Sequence, residues 1–174
     1  MKRHSRLLVV LAVLLVTANV LHPAVHWRLI GWARGEAFYQ GRPTSYWADK
    51  IEATYQPVWG TGSVIGNGGT IWYVETQLSR LDQFLQQWLP GTTPVSVPPA
   101  LTNGPLLDGD FDALPVLLAL LRNESAKLRQ VAVSGLVAQG RDKPEVIKAL
   151  HEAAKDPDDL VRQDAEVGLQ HLAR

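Results

Sequence analysis

The sequence predicts an all-α protein: an N-terminal transmembrane or signal helix followed by a short α-solenoid of helix pairs. Three observations predict it. A basic start, MKRHSR, runs into LLVVLAVLLVTANVLHPAV, an apolar segment over residues 7–25. Segments in the middle of the chain place apolar residues at steps of three and four, the spacing of one helix face. The last third superposes on itself at an offset of 33, residues 114–136 over 147–169. A period in the thirties with two helices per unit is the signature of stacked helix pairs.

The N-terminal segment has two readings. As a signal peptide it has a basic start, a core Leu7–Val16 and a small-residue site at Val16-Thr17-Ala18, with cleavage near Ala18. As an uncleaved signal anchor it has the right length, because about twenty residues cross a hydrocarbon layer of about 30 Å. Trp27 and Trp32, just beyond the run, fit an interfacial aromatic belt. We take the anchor as the expectation. It makes the lipid bilayer a partner of residues 7–25 and puts the C-terminal part outside the cytoplasm; Arg28 and Arg34 count against that orientation. The cleaved alternative is a secreted or periplasmic chain.

Charge and cysteine narrow the function classes. Seventeen basic and seventeen acidic residues balance, but Lys2, Arg3 and Arg6 sit at the start, so residues 7–174 carry about −3. Nucleic acid is not an expected partner, since its phosphates need a concentrated basic face. With no cysteine, there is no disulfide, zinc-thiolate site or thiol nucleophile.

The expected organisation is an anchor or signal peptide over 1–30, a linker over 31–43, two helices with Gly- and Pro-rich loops over 44–110, and two helix-pair repeats over 111–174. In the linker, Gly41 supplies a turn and Pro43 a helical φ. Thr44 or Ser45 then caps a helix to about Tyr55 that turns Trp47, Ile51 and Tyr55 to one side. PVWGTGSVIGNGGT is a loop, or a weak hairpin around Asn67-Gly68. A second helix over about 73–89 aligns Val74, Leu78, Leu81, Leu85 and Trp88 and stops at Pro90-Gly91. These two helices are candidates to cap the repeat stack.

In the repeats, Leu114 falls on Ile147, Leu117 on Leu150, Arg129 on Arg162 and Gln130 on Gln163. Ala132 falls on Ala165, Gly135 on Gly168 and Leu136 on Leu169. Helix pairs stack because one pair cannot bury its apolar face alone. Ala132 and Ala165 admit close approach of the second helices, and Leu136 and Leu169 fill the seam. Leu160, Val161 and Leu172 are candidates for an exposed or partner-covered edge.

The strings LRNESAKLRQVAVSGL and AKDPDDLVRQDAEVGL resemble HEAT repeats of the short bacterial kind. The second fits well; in the first, Ser125 and Lys127 stand where the family carries an acidic or proline-bearing turn. The resemblance implies an arginine paired with an acidic turn, for which Arg162 with Asp158 or Asp159 is the nearest analogue. The segment Tyr39, Gly41, Arg42, Pro43, Ser45 and Trp47 has the form Tyr-x-Gly-Arg-Pro-x-Ser-x-Trp. It resembles a segment that lies between membrane anchor and repeats in HEAT-repeat proteins of planctomycete type. The resemblance implies an unidentified protein partner or self-association, and a scaffold role with no enzymatic activity.

Candidate partner-binding positions are Tyr39, Arg42, Tyr46, Arg129 and Arg162. FYQGRPTSYW has the aromatic and arginine content of an interface, but each residue also has a local role as turn, cap or core. The alternative function is an extracytoplasmic small-ligand domain with an aromatic and Gly-rich pocket wall, which requires Tyr39, Tyr46, Trp59 and Trp72 to converge. No catalytic, cofactor-binding or metal-ligating residue is assigned. WGTGSVIGNGG lacks the Gly-Lys-Ser/Thr ending of a phosphate loop. Asp108, Asp110 and Asp112 alternate as in a calcium loop, but Ala119 stands where the bidentate Glu belongs, so acidic capping of a helix near Phe111 is the better reading. His22 and His26 are four apart but have Pro23 between them and no third ligand.

Overall fold

The computed structural model describes residues 23–57, 70–74, 104–140 and 143–174. Six α-helices lie among them. α1 spans Pro23–Ala33, α2 Thr44–Thr54, α3 Leu114–Leu120, α4 Ala126–Gln139, α5 Pro144–Ala153 and α6 Asp159–Leu172. Most of the apolar run lies outside the described residues. Among those residues no helix is long and apolar enough to cross a membrane.

Helices dominate, as the sequence predicts, but two small antiparallel sheets correct the all-α expectation. The stretch read as a linker carries the end of α1 and a hairpin of β1 (Phe38–Tyr39) and β2 (Arg42–Pro43). Tyr39 pairs with Arg42 and Phe38 with Pro43. The two turn residues between the strands, Gln40 and Gly41, both have positive φ, 49° and 69°. That is the geometry whose twist matches a hairpin, and glycine adopts it without steric cost. Strands of two residues carry no alternation, so the sequence pattern could not reveal them.

α2 starts where expected but is capped differently. Neither Thr44 nor Ser45 provides the cap: Pro43 occupies the N-cap position, with extended backbone and no side-chain hydrogen bond. The orphan donors at the helix start go backwards instead. Ser45 N–H donates to Glu36 Oε2 at 2.8 Å, and Thr44 N–H to Ala37 O at 2.9 Å. Glu36 also places a negative charge where the helix dipole favours it. Trp47, Ile51 and Tyr55 are all buried, so the predicted face is the core face.

β3 (Tyr55–Pro57) pairs with β4 (Trp72–Val74), Tyr55 opposite Val74 and Pro57 opposite Trp72. These strands flank the glycine-rich stretch, of which residues 58–69, Trp59 among them, lie outside the described residues. Tyr73 and Val74, expected to begin a helix, are in β4: pairing with the strand that leaves α2 overrides their helical spacing. The rest of that predicted helix also lies outside.

The two repeats form as helix, turn, helix. Before them, Pro105–Leu107 makes a 3₁₀ turn that buries Leu106, and Asp110 caps a second one at Phe111–Ala113 by accepting from Asp112 N–H at 3.0 Å. α4 is the central helix. It packs on α3, α5, α6 and α2 and on the Pro105 turn. Leu117, Leu120, Val131, Ala132, Leu136, Val146, Leu150, Val161 and Ala165 are fully buried between these helices. Full burial of a Leu or Val side chain stabilises the fold by about 1.5–3 kcal/mol. Gly168 is a contact point: an added Cβ would collide with the Val137 side chain. Gly135, one repeat earlier, meets Leu117 and the carbonyl of Leu106 in the same way.

Candidate functional site

The predicted partner-binding residues separate into two groups, one on the β1–β2 hairpin and one at the repeat turns. On the hairpin, Tyr39 faces inward. Its hydroxyl shares one proton between Asp110 Oδ2 at 3.0 Å and Pro105 O at 3.1 Å, and accepts from Gln40 Nε2. Burial, with the Asp110 carboxylate beside it, pushes its pKa up to about 12. Tyr39 thus ties the hairpin to the entrance of the repeats. Trp47 completes the tie: its indole N–H donates to Tyr39 O at 3.2 Å.

Arg42 and Tyr46 stay nearer the surface. The Arg42 guanidinium lies 4.7 Å from the Tyr46 ring centroid, a cation–π distance. Trp27 of α1 meets the same tyrosine edge-on at 5.7 Å. α1 is fixed further by Arg28, whose Nε donates to Gly41 O at 3.2 Å, and by Gly31, which sits against Pro43 and Phe38. Its outward face leaves Val25, Leu29 and Trp32 exposed, Leu29 at 46% and Trp32 at 80%. Those positions are spaced i, i+4, i+7, one stripe of a helix.

At the repeat turns Arg129 and Arg162 adopt matching poses. Arg129 Nη1 donates to Asn123 O and Glu124 O at 3.0 and 2.8 Å. Arg162 Nη1 donates to Asp156 O and Pro157 O at 2.6 and 3.0 Å. Each arginine closes the turn that precedes its own helix, and the acceptors are one repeat apart. Their carboxylate partners differ. Arg129 makes a two-pronged bond to Asp156 of the next turn, both contacts at 2.8 Å, with both side chains about nine-tenths buried. Such a fork is among the strongest ionic contacts. Arg162 meets Asp159 of its own helix, as the sequence suggested, while Asp158 caps α6 by accepting from Leu160 and Val161 N–H. Burial alone would raise the Asp156 pKa, but the Arg129 hydrogen bond, the Asp158 N–H and the nearby arginine charges hold it below the usual carboxylate range.

Sequence reasoning missed Glu36, Asp156, Asp164 and Glu52. Only Asp156 left a signal, because it falls on Asn123 at the 33-residue offset, and both side chains accept the backbone N–H two residues on. Asp164 is buried in the inner face of the second helices. It accepts from Gln130 Nε2 at 2.8 Å and from Thr70 N–H at 3.0 Å. Trp72 adds a hydrogen bond from its indole to Ser134 Oγ at 3.1 Å. The segment around β4 thus lies on α4 and α6. Glu52 joins α2 to the start of α4: its carboxylate accepts from Ser125 Oγ, and its backbone carbonyl from Lys127 Nζ at 2.9 Å.

Of the four residues the ligand-pocket alternative requires, Tyr39 and Trp72 are buried, Tyr46 is half-buried against Trp27, Arg42 and Trp47, and Trp59 lies outside the described residues. Asp110, from the candidate calcium set, has both oxygens engaged by Tyr39 and Asp112. Among the described residues no three acidic or histidine side chains group as a metal site would.

Residues 104–170 match the protein family described as HEAT repeats, a match that takes in all of α3, α4 and α5 and most of α6. No curated protein and no solved structure matches the chain. The family match, the helix pairs and the repeated arginine turns together support a HEAT-repeat domain over residues 104–170, and HEAT repeats generally serve protein–protein contact as a scaffold fold.

Proposed function

We propose that the protein is a membrane-tethered interaction module that presents its HEAT-like repeats to a protein partner outside the cytoplasm. The observation that carries this reading is the exposed stripe of Val25, Leu29 and Trp32. It continues the apolar run of residues 7–25, and its helix is locked to the hairpin through Arg28 and Gly31 and to α2 through Trp27. An amphipathic tryptophan beside a membrane span suits the headgroup level. A helix so fixed would hold the repeats in one orientation to the bilayer instead of on a loose leash. The basic residues Lys2, Arg3 and Arg6 support a cytoplasmic N-terminus. The Tyr-x-Gly-Arg-Pro-x-Ser-x-Trp segment supports the same anchor-then-repeat order as the proteins it resembles. Arg42 and Tyr46 are the surface candidates on the tether side, and Arg162 is the candidate on the repeats.

Fractionation of the full-length chain with a C-terminal tag tests this, read by intact mass and by protease access to the tag. The expected result is a chain that keeps its N-terminus, resists alkaline extraction from membranes and has its tag cleaved from outside the cytoplasm. A soluble chain beginning near Asn19 would overturn the tether. A membrane-bound chain with a protected tag would overturn the orientation.

A further inference from the structure

α1 has two distinct sides. Trp27 meets Tyr46 edge-on at 5.7 Å, and Gly31 sits so close to Pro43 that an added Cβ would collide with it. These positions, i and i+4, form the side that faces the protein. Val25, Leu29 and Trp32 run along the other side, 36%, 46% and 80% exposed. His26 and Arg28, both exposed, border that stripe, one on each flank. Arg28 is held in place: its Nε donates to Gly41 O at 3.2 Å, so the guanidinium stands between the stripe and the hairpin turn.

Three observations select what covers the stripe. It continues the apolar run of residues 7–25, so a bilayer that takes the run lies within a few residues of it. No Asp or Glu precedes Glu36, whereas Lys2, Arg3, Arg6, Arg28 and Arg34 all do. α1 therefore meets a phosphate-bearing surface without charge repulsion. Its most exposed apolar residue is a tryptophan, whose ring and N–H suit the boundary between headgroups and acyl chains.

Helix geometry then sets the direction. If α1 ran along the bilayer normal, Trp32 would stand about 10 Å beyond Val25, because each helical residue rises about 1.5 Å. The stripe would leave the apolar layer within its own length. Lying in the plane keeps all three side chains at one depth. Pro23 opens α1, and a proline ring clashes with the carbonyl four residues earlier, so a helical chain can change direction there. As a helix, residues 7–22 would rise about 24 Å, short of the roughly 30 Å hydrocarbon layer by about the depth to which an interfacial helix sinks.

We propose that α1 lies flat in the surface of a phospholipid bilayer, with Val25, Leu29 and Trp32 below the headgroups and Arg28 at the level of their phosphates. This contact is lateral and separate from the span, and it carries the hairpin and α2 on the upper side of α1. It rests on the tether reading, which brings the bilayer to α1, and adds the partner of the stripe and the direction of the helix.

The chain contains no cysteine, so single spin labels can be placed without further change. The full-length protein is reconstituted into vesicles of phosphatidylcholine and phosphatidylglycerol with a label on Val25→Cys, Leu29→Cys or Trp32→Cys. Labels on Asp49→Cys of α2 and Glu152→Cys of α5, both exposed positions, serve as references. Power saturation with oxygen, which collects in the bilayer, and with a water-soluble nickel chelate reads the depth of each label. The three stripe labels are expected at one shallow depth, within about 3 Å of each other and about 5–10 Å into the headgroup and acyl boundary, with both references in water. Trp32→Glu should lower the oxygen-to-nickel collision ratio of the Val25→Cys label about fivefold or more, since a buried charge is expelled from that boundary. Trp32 is 80% exposed, so this change leaves the core intact.

A depth that changes by about 10 Å from Val25 to Trp32 would show a helix running along the normal and overturn the proposal. Stripe labels that behave like the references, spin–spin broadening from a second copy seated on the stripe, or a Val25→Cys label indifferent to Trp32→Glu would each overturn it too. The tether fails on a different reading, a chain cleaved near Asn19 in the fractionation experiment. Stripe labels in water on a chain that stays in the membrane would remove the lateral contact and leave the tether standing.

Discussion

Thr70 donates its backbone N–H to Asp164 Oδ1 at 3.0 Å, a contact between residues 94 positions apart. The second carboxylate oxygen accepts a hydrogen bond from Gln130 Nε2 on the other repeat at 2.8 Å. One buried acid therefore joins both second helices and the segment leading into β4. Replacing Asp164 with Ala leaves the Thr70 N–H without its acceptor and the buried Gln130 amide with Thr70 Oγ1 alone. The expected cost is about 2–3 kcal/mol in denaturant unfolding. Asp164→Asn should cost less, and hydrogen exchange at Thr70 should rise in both variants.

The two equivalent arginines should differ in worth. Arg129→Ala breaks a nearly buried forked pair and should destabilise by about 2–3 kcal/mol. Arg162→Ala removes a surface pair and should cost under about 1 kcal/mol. Equal losses would show that closing the turn carbonyls, which both arginines do, carries the energy rather than the carboxylate.

Asp156 sets an acid limit. Its folded pKa lies below the unfolded value of about 3.9. Its stabilisation is therefore complete above that unfolded value and disappears as pH falls through the lower folded one. Melting temperature should drop on acidification through this window, and Asp156→Asn should be less stable at neutral pH with a smaller acid dependence.

Tyr39 sets an alkaline limit of opposite sense. The buried phenol is raised to about 12 from an ordinary value of 10.0. The folded chain favours the neutral form, so this stability is intact below the unfolded value and vanishes as pH rises through the folded one. Ultraviolet titration should show a phenolate that forms late and together with unfolding. Tyr39→Phe should remove that component, while leaving Asp110 short of a donor.

The contact of Gly168 with Val137 can be probed by volume. Gly168→Ala gains helix propensity of about 1 kcal/mol but forces a methyl into the Val137 side chain. A net loss of about 1 kcal/mol is expected. In a Val137→Ala background the same change should become neutral or stabilising, a coupling read by a double-mutant cycle.

The amino-acid sequence alone determined the repeats. Helix pairs must bury one face each, and that requirement writes Leu117 with Leu150, Ala132 with Ala165 and Arg129 with Arg162 at a constant offset. It also determined the inward face of α2, because Trp47, Ile51 and Tyr55 recur at helical spacing. Local chemistry likewise revealed the Asp110 cap. Tertiary structure decided what depends on distant partners. Tyr39 looked like surface and became core because its hydroxyl partners come from Pro105 and Asp110. The cap of α2 passed from Thr44 and Ser45 to Glu36 because a hairpin folds that carboxylate back on the helix start. Tyr73 and Val74 left their helical pattern because β3 offered a ladder. Short strands, buried acids and charge forks have no period of their own; they exist only where the fold brings their two halves together.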